Sequence, residues 1–346
     1  MRDVPNLDVA RSIAVLSVVV VHTLLALRVT QIGPFPIADM GILGVLLFFV
    51  LTSLVLMWSL ERRPHPLDFY IRRWFRIYPL ALAVMAVALL THAPTAGTTA
   101  TDFFWTAHPG LKDLLVQACL LDSALFSGAS YVVTVMWSLP YEIEMYILLP
   151  IVFVFVRRKF SLWPLLLVWA LVLVNARPVS GNHHNFAVAI DYFLPGVMAY
   201  VGFSRWKPRL PGWLLPFFLG GMWAVFMPYF NFHRGWIFCL IIGLALPFFR
   251  QIKSEAVLAP CRQIAKYSYG IYLTHSFALV VGLYLLREHS LWVQLSVELV
   301  LLVALPVIAY HLIEHPLIRL GSRLAGRLAQ NYEHLEVEQY REVSVG

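Results

Sequence analysis

Long apolar runs recur from one end of this chain to the other, and they constrain its fold more than any other feature. A helix needs about 20 mostly apolar residues to cross the hydrocarbon core of a membrane. Because that core offers the backbone no hydrogen-bond partners, such runs must be helical. Only 13% of the 346 residues are charged, about half of the roughly 25% typical of soluble domains. The sequence therefore predicts an all-α polytopic membrane protein.

The apolar runs predict about ten membrane helices. A mixed segment over 93–134 interrupts them and contains a possible short helix at 111–126. This division predicts one membrane domain over 1–318 and a polar cytoplasmic tail over 319–346, formed by a short amphipathic helix and a frayed end. The predicted membrane helices span 7–28, 41–60, 77–92, 137–156, 161–175, 187–204, 213–230, 236–249, 267–286 and 291–314.

Basic residues are distributed unequally between the predicted loops. With the N-terminus in the cytoplasm, the inside segments hold 20 Lys and Arg residues, the outside segments hold 5, and Arg11 lies within the first helix. This bias is typical of the positive-inside rule and predicts that both termini are cytoplasmic. It also explains the net charge of +7 without a nucleic-acid partner.

The first predicted helix carries Asp8, Arg11 and His22 on one stripe. An ionisable residue inside a membrane helix costs about 2.5–3.5 kcal/mol, so this stripe is expected to face protein or a watery cavity. Arg11 and His22 are about 16 Å apart along the axis, so one ligand that touches both must be long. Three structural alternatives remain open: an interfacial Asp8–Arg11 pair, snorkelling of Arg11, and a buried His22 bonded to another helix.

A basic segment and an acidic residue supply further candidates. Arg72, Arg73 and Arg76 precede the third predicted helix, where Pro79 is expected to act as a stop. Guanidinium groups at this spacing suit phosphate or carboxylate recognition, although a plain positive-inside cluster would look the same. Glu142 opens the fourth helix, where a carboxylate can orient a histidine or simply be an interfacial charge.

The ninth helix carries Tyr269, Tyr272 and His275 at a spacing of three, on one side. These side chains suit direct chemistry and interhelical hydrogen bonding equally well. After Glu314, Pro316 is expected to end or kink the tenth helix. The histidines and the three cysteines show no spacing typical of a metal site, so no metal is predicted.

Six segments resemble the motifs of the acyltransferase-3 family of membrane-bound O-acyltransferases, in the expected order. They are Arg11 with His22 after ten intervening residues, GVLLFFVLTS over 44–53, Arg73-x-x-Arg76, Trp137-Ser138-Leu-x-x-Glu142, SYGIYLTH over 268–275, and Glu314-x-Pro316. Two positions depart from the pattern: Leu46 stands where the family commonly has Asp, and Ser53 where it commonly has Gly. No role is therefore assigned to that part of the second helix. No hydrolase-like domain follows the tenth helix, so the subclass with a second catalytic module is not expected.

The resemblance implies transfer of an acyl group, most often acetyl from cytoplasmic acetyl-CoA, to a hydroxyl group. The implied acceptor is a glycan or lipid-linked glycan at the outer face of a bacterial inner membrane. Coenzyme A has an anionic phosphate end and a long arm, which agrees with the separation of Arg11 from His22. An acyl-CoA is thus the expected co-substrate, with no permanently bound cofactor.

On this hypothesis His22 is either the general base or a transient carrier of the acyl group. Glu142 is the first candidate for orienting His22 and His275 the second. The alternatives are a transporter or flippase that uses the same Arg, His and Glu residues as a path, and a non-catalytic sensor or export partner. Neither inverted repeats nor paired broken helices are evident. The expected donor-binding residues are Arg11, Arg72, Arg73 and Arg76, and the expected supporting polar residues are Asp8, Ser138, Tyr269, Tyr272 and His275.

Overall fold

A computed structural model of the chain describes residues 4–33, 35–63, 65–91, 110–120, 132–156, 162–175, 186–227 and 235–328. Within these ranges the architecture is helical, apart from one antiparallel hairpin that joins the first two helices. In that hairpin Ile32 of β1 (Gln31–Ile32) pairs with Phe35 of β2 (Phe35–Pro36). The helices are α1 (Pro5–Ala26), α2 (Ala38–Arg62), α3 (Pro66–Leu90), α4 (Leu111–Cys119), α5 (Leu139–Phe155), α6 (Leu162–Asn175), α7 (Phe186–Arg205), α8 (Leu214–Phe226), α9 (Gly235–Ala245), α10 (Glu255–Leu279) and α11 (Leu291–Ala309).

Short irregular turns extend several of these helices. A 3-10 turn (Thr134–Ser138) leads into α5, and another (Leu246–Phe248) follows α9. Segments of π-helix follow α10 (Val280–Leu285) and α11 (Tyr310–Glu314). After the second π segment the chain is helical again to Leu328.

All ten predicted membrane helices are present as helices, and the all-α multi-pass fold is confirmed. Within the described ranges, six helices are long and apolar enough to cross a membrane: Pro5–Ala26, Ala38–Arg62, Pro66–Leu90, Thr134–Phe155, Glu255–Leu285 and Leu291–Leu328. Three further apolar helices are shorter than a full span: Leu162–Val174, Leu214–Phe226 and Gly235–Phe248.

Three predicted helix boundaries are wrong by ten residues or more. The ninth membrane helix, α10, begins at Glu255 rather than at 267. The third helix begins at Pro66 rather than near 77, so the three arginines lie on the helix and Pro79 lies inside it. Proline is tolerated in membrane helices because neighbouring groups satisfy the carbonyl that it leaves without a donor. The last helix continues past Pro316, and the irregularity there is the π segment directly before it, a common accompaniment of functional sites.

The centre of the bundle is α2. In its apolar window 78% of the residues are buried, against 11% for the helix Leu291–Leu328, whose apolar surface faces outward. One side of α2 packs on α1, and other sides pack on α5, α7 and α9, while α10 packs on both α1 and α11. This arrangement places the polar stripe of α1 between α2 and α10, inside protein.

The close contact between α2 and α7 depends on a glycine in α7, Gly196. Ser53, buried in α2, donates a hydrogen bond to the carbonyl oxygen of Phe193 in α7 at 2.6 Å. Gly196 lies against this point, and a Cβ there would collide with the Ser53 hydroxyl and the Val50 carbonyl oxygen. The serine that departs from the family pattern thus ties two central helices together.

We expect Gly196→Ala to destabilise the protein by about 1–3 kcal/mol, the usual cost of overpacking a closely packed core. The matched control is Gly220→Ala in α8, where nothing lies within 4 Å of the new Cβ. Thermal unfolding in detergent should show a lower Tm for the first variant and an unchanged Tm for the second. Equal Tm values for both variants would contradict the close α2–α7 contact.

Candidate active site

Two adjoining cavities open beside the polar stripe of α1. The first, about 120 Å³, is lined by arginines of α1 and α3, by Glu142, and by Ser138, Tyr269 and Tyr272. The second, about 360 Å³, is mostly apolar and contains His22. Val45 and Tyr272 line both cavities, so the two meet at these side chains.

Arg11, Arg73 and Arg76 converge on the first cavity. Arg73 and Arg76 share a face of α3 because residues three apart are neighbours on a helix. The Arg73 guanidinium lies 5.8 Å from the ring centroid of Tyr146 and 5.9 Å from that of Phe69, and these contacts hold it in place.

The guanidinium groups of Arg11 and Arg76 make no hydrogen bond to another residue in the part of the chain that the structure describes. Their N–H groups line the cavity and are available to a ligand. Guanidinium groups bind phosphate and carboxylate through paired, charge-assisted hydrogen bonds. The first cavity therefore offers the donor groups that an anionic group requires.

Arg72 and Asp8, two of the predicted site residues, do not line this cavity. Arg72 is turned away from it: it forms an ion pair with Asp68 at 2.9 Å and donates to the carbonyl oxygen of Ser322. Asp8 lies in the first turn of α1, half-buried, where its charge attracts Arg11. Of the predicted basic cluster, the structure brings Arg73 and Arg76 to the cavity and gives Arg72 a role in packing.

Glu142 lies among the arginines. Its carboxylate accepts hydrogen bonds from the Thr52 hydroxyl and the Tyr146 hydroxyl, each at 3.3 Å. In this position it balances part of the positive charge of Arg11, Arg73 and Arg76, which interact with one another and with it. Thr52 and Tyr146 were not predicted, although Tyr146 follows Glu142 by four residues and thus shares its helix face.

The partner that the structure brings to His22 is His275, the second candidate. His22 Nδ1 lies 2.7 Å from His275 Nε2. The ring planes differ by 3° and the centroids are 4.9 Å apart. A centroid distance of 4.9 Å together with an N···N distance of 2.7 Å requires the two parallel rings to lie edge to edge in nearly one plane, not face to face. The N–H of one ring therefore points along the lone pair of the other, the strongest hydrogen-bond geometry.

The backbone of α10 decides which nitrogen carries the proton. His275 Nδ1 lies 2.7 Å from the carbonyl oxygen of Tyr272 and 3.1 Å from that of Ile271. Carbonyl oxygens only accept, so His275 Nδ1 must donate, and in a neutral ring its Nε2 must then accept. His22 Nδ1 is consequently the donor, and its Nε2 is the basic nitrogen. A fully buried histidine thus sets the tautomer of one that lines a cavity.

Hydrogen bonds anchor the side chains at and beside the place where the two cavities meet. The Tyr272 hydroxyl donates to the carbonyl oxygen of Val135, and the Ser138 hydroxyl therefore donates to Tyr272, at 2.8 Å. Tyr269 donates to the carbonyl oxygen of Ile77 in α3 at 2.7 Å. These contacts tie the 3-10 turn and α3 to α10, so that the arginines and the histidine pair keep a fixed relation.

The chain belongs to the acyltransferase-3 family, whose model, described as an acyltransferase domain, matches residues 4–311. It is therefore a multi-pass membrane acyltransferase. The chain is 25% identical over 327 residues to "Nodulation protein 10" of Rhizobium leguminosarum bv. viciae, with 82% of this chain and 84% of that protein covered. It is 31% identical over 124 residues to "Acyltransferase MdmB" of Streptomyces mycarofaciens, with 35% of this chain and 31% of that protein covered. No solved structure matches the chain.

The tautomer assignment predicts a spectroscopic signature. In protein labelled with ¹⁵N-histidine, solid-state NMR should show that His22 carries its proton on Nδ1 and none on Nε2. The His22 signals are identified by their loss in His22→Phe. Substitution His275→Phe removes the acceptor and should shift His22 toward a mixture of tautomers. A His22 ring protonated on Nε2 in the unaltered protein would contradict the assignment.

Proposed function

We propose that this protein transfers an acyl group, most simply acetyl, from cytoplasmic acyl-CoA to a hydroxyl group at the outer face of the bacterial inner membrane. The proposed acceptor is a glycan or a lipid-linked glycan, as the family resemblance implies. The excess of Lys and Arg in alternate loops supports the orientation, with Arg11 toward the cytoplasm.

One observation carries this proposal: a cavity lined by three arginines and a cavity lined by His22 share Val45 and Tyr272. A donor with phosphates at one end and a thioester at the end of a long arm matches this pair of cavities. The phosphates would contact Arg11, Arg73 and Arg76, and the arm would pass Tyr272 toward His22. The axial distance of about 16 Å between Arg11 and His22 agrees with such a ligand.

In the first of two routes, His22 acts as a general base. Its Nε2 takes the proton of the acceptor hydroxyl while the hydroxyl oxygen attacks the thioester carbonyl carbon. The C–S bond then breaks, and the thiolate receives the proton from Nε2 and leaves as CoA. The bond from His22 Nδ1 to His275 stabilises the ring while it is positively charged, as the orienting partner of a catalytic histidine does.

In the second route, His22 carries the acyl group. Nε2 attacks the thioester carbonyl carbon, the C–S bond breaks, and the CoA thiolate leaves and takes a proton from water. The ring, which keeps its Nδ1–H, is then a positively charged acyl-imidazolium. The acceptor hydroxyl attacks the acyl carbon and the C–Nε2 bond breaks. Nε2 takes the hydroxyl proton and releases it to water, which regenerates neutral His22. This route separates donor and acceptor in time, which suits substrates that approach from opposite faces of a membrane.

The test is acyl transfer by purified protein in detergent or nanodiscs, with radiolabelled acetyl-CoA. We expect His22→Ala to lower the rate of thioester loss by about 10²–10⁴-fold if His22 is a base, and to abolish it if His22 is a carrier. The matched control is His289→Ala, which alters an exposed histidine between α10 and α11 and should leave the rate unchanged.

The same assay separates the rival hypotheses. Label retained on the unaltered protein in a single turnover, and absent from His22→Ala, indicates the carrier route. No thioester loss from the unaltered protein with any acceptor, together with movement of donor or glycolipid across the bilayer, would favour the transporter. A His22→Ala variant that is folded and as active as the unaltered protein would contradict the proposed mechanism.

A further inference from the structure

The cavity that contains His22 is larger than the transfer of an acetyl group requires. Its volume is about 360 Å³. An apolar cavity of about 150 Å³ is already large enough to hold benzene. The cavity around His22 therefore has room for considerably more than the two carbons of acetyl. Its position relative to His22 and the chemistry of its lining indicate what occupies that room.

The cavity extends along the contact between α1 and α2. Gly41 of α2 lies against Val21 of α1, where a Cβ would be 3.2 Å from the Val21 side chain, and both residues line the cavity. On α1 the lining runs from Val18 to Leu25, which is about 10 Å along the helix axis. His22 lies between these two residues. About 5 Å of the cavity thus lies beyond His22, toward the hairpin that joins the two helices.

The direction of the donor places its acyl group in this part of the cavity. On the proposed function, the arm of the donor enters where the two cavities meet, beside Val45 and Tyr272. Its thioester carbon must then reach Nε2 of His22. The acyl group is bonded to that carbon on the side away from the sulfur. Because the arm occupies the end of the cavity at Val45, the acyl group is directed into the space beyond His22.

The lining around that space suits an alkyl chain. The side chains that α1 and α2 contribute at and beyond the level of His22 are aliphatic, and aromatic rings of the 3-10 turn and α5 complete the described lining. A group with several hydroxyls would lose its hydrogen bonds to water here with few replacements, which is costly. An alkyl chain gains from the same burial. The lining residues in question are Leu25, Ala38, Gly41, Ile42, Trp137 and Tyr141.

We infer that this cavity binds the acyl chain of the donor, and that the preferred chain is apolar and longer than acetyl, with about four to eight carbons. A chain of this size leaves space beside Nε2 of His22 for the hydroxyl of the acceptor. Acetyl is then a poorer substrate of the same site. The inference rests on the proposed function and names its acyl group.

The first test measures binding of S-alkyl-CoA thioethers, which lack the thioester carbonyl and therefore cannot transfer a group. The protein is held in nanodiscs without any acceptor, and empty nanodiscs correct for partition of the probe into lipid. We expect the Kd to fall by about fourfold for each methylene from S-ethyl-CoA to S-hexyl-CoA, the gain for burying one methylene. In the transfer assay, kcat/KM for hexanoyl-CoA should exceed that for acetyl-CoA by about tenfold or more.

The second test changes the length of the cavity. Ala38→Leu places a larger side chain at the end beyond His22. It should weaken binding of S-hexyl-CoA by about tenfold or more relative to S-ethyl-CoA, because a pocket discriminates strongly against a chain that it cannot hold. The matched control is Ala224→Leu, the same change on the exposed side of α8 and away from both cavities, which should leave this ratio unchanged. If Ala38→Leu does not fold, Ile42→Ala, which enlarges the cavity, should shift the preference to longer chains.

The outcomes separate this inference from the proposed function. Equal Kd values for S-ethyl-CoA and S-hexyl-CoA would overturn the inference, and so would a ratio that a folded Ala38→Leu variant leaves unchanged. If acetyl-CoA is consumed and hexanoyl-CoA is not, the acyltransferase function stands and the inferred chain is wrong. If no CoA derivative is bound or consumed, the proposed donor is wrong, and the inferred acyl group is wrong with it.

Discussion

The hydrogen bond between His22 and His275 decides which ring nitrogen of His22 is basic. One end of the pair is held by the carbonyl oxygens of Ile271 and Tyr272, and the other end lines a cavity. Because carbonyl oxygens only accept, His275 Nδ1 donates to them, and His22 Nδ1 donates to His275 Nε2. Nε2 of His22 is therefore the basic nitrogen. The packing of α1 against α10 holds the two rings in one plane, and α2 supports α1 from its other side.

Charge balance is the second constraint on the bundle. Arg11, Arg73 and Arg76 lie close enough to repel one another in a region with little water. Glu142 faces them across the cavity, and Glu314 attracts Arg76 from outside the residues that line it. These carboxylates offset part of the cluster's charge without taking up the N–H donors of Arg11 and Arg76.

Much of this organisation could be predicted from the sequence. Apolar runs of membrane-spanning length gave the helices, and helical periodicity put Arg11 and His22 on one stripe. The partner of His22 could not be chosen, because it lies 253 residues away and depends on how α1 packs against α10. The start of α3 was misplaced because the arginines lower the local hydropathy, although the helix turns two of them inward. Adjacent residues point about 100° apart on a helix, so Arg72 could have been separated from Arg73 only if this segment had been recognised as helical.

The most direct test of the proposed active site is a cryo-EM structure of the protein with CoA bound, in nanodiscs and with an antibody fragment to aid alignment. Density for the phosphates should contact Arg11, Arg73 and Arg76, and the arm should pass between Val45 and Tyr272 so that its sulfur approaches Nε2 of His22. Phosphates bound away from these arginines, or an arm directed away from His22, would contradict the proposed relation between the two cavities.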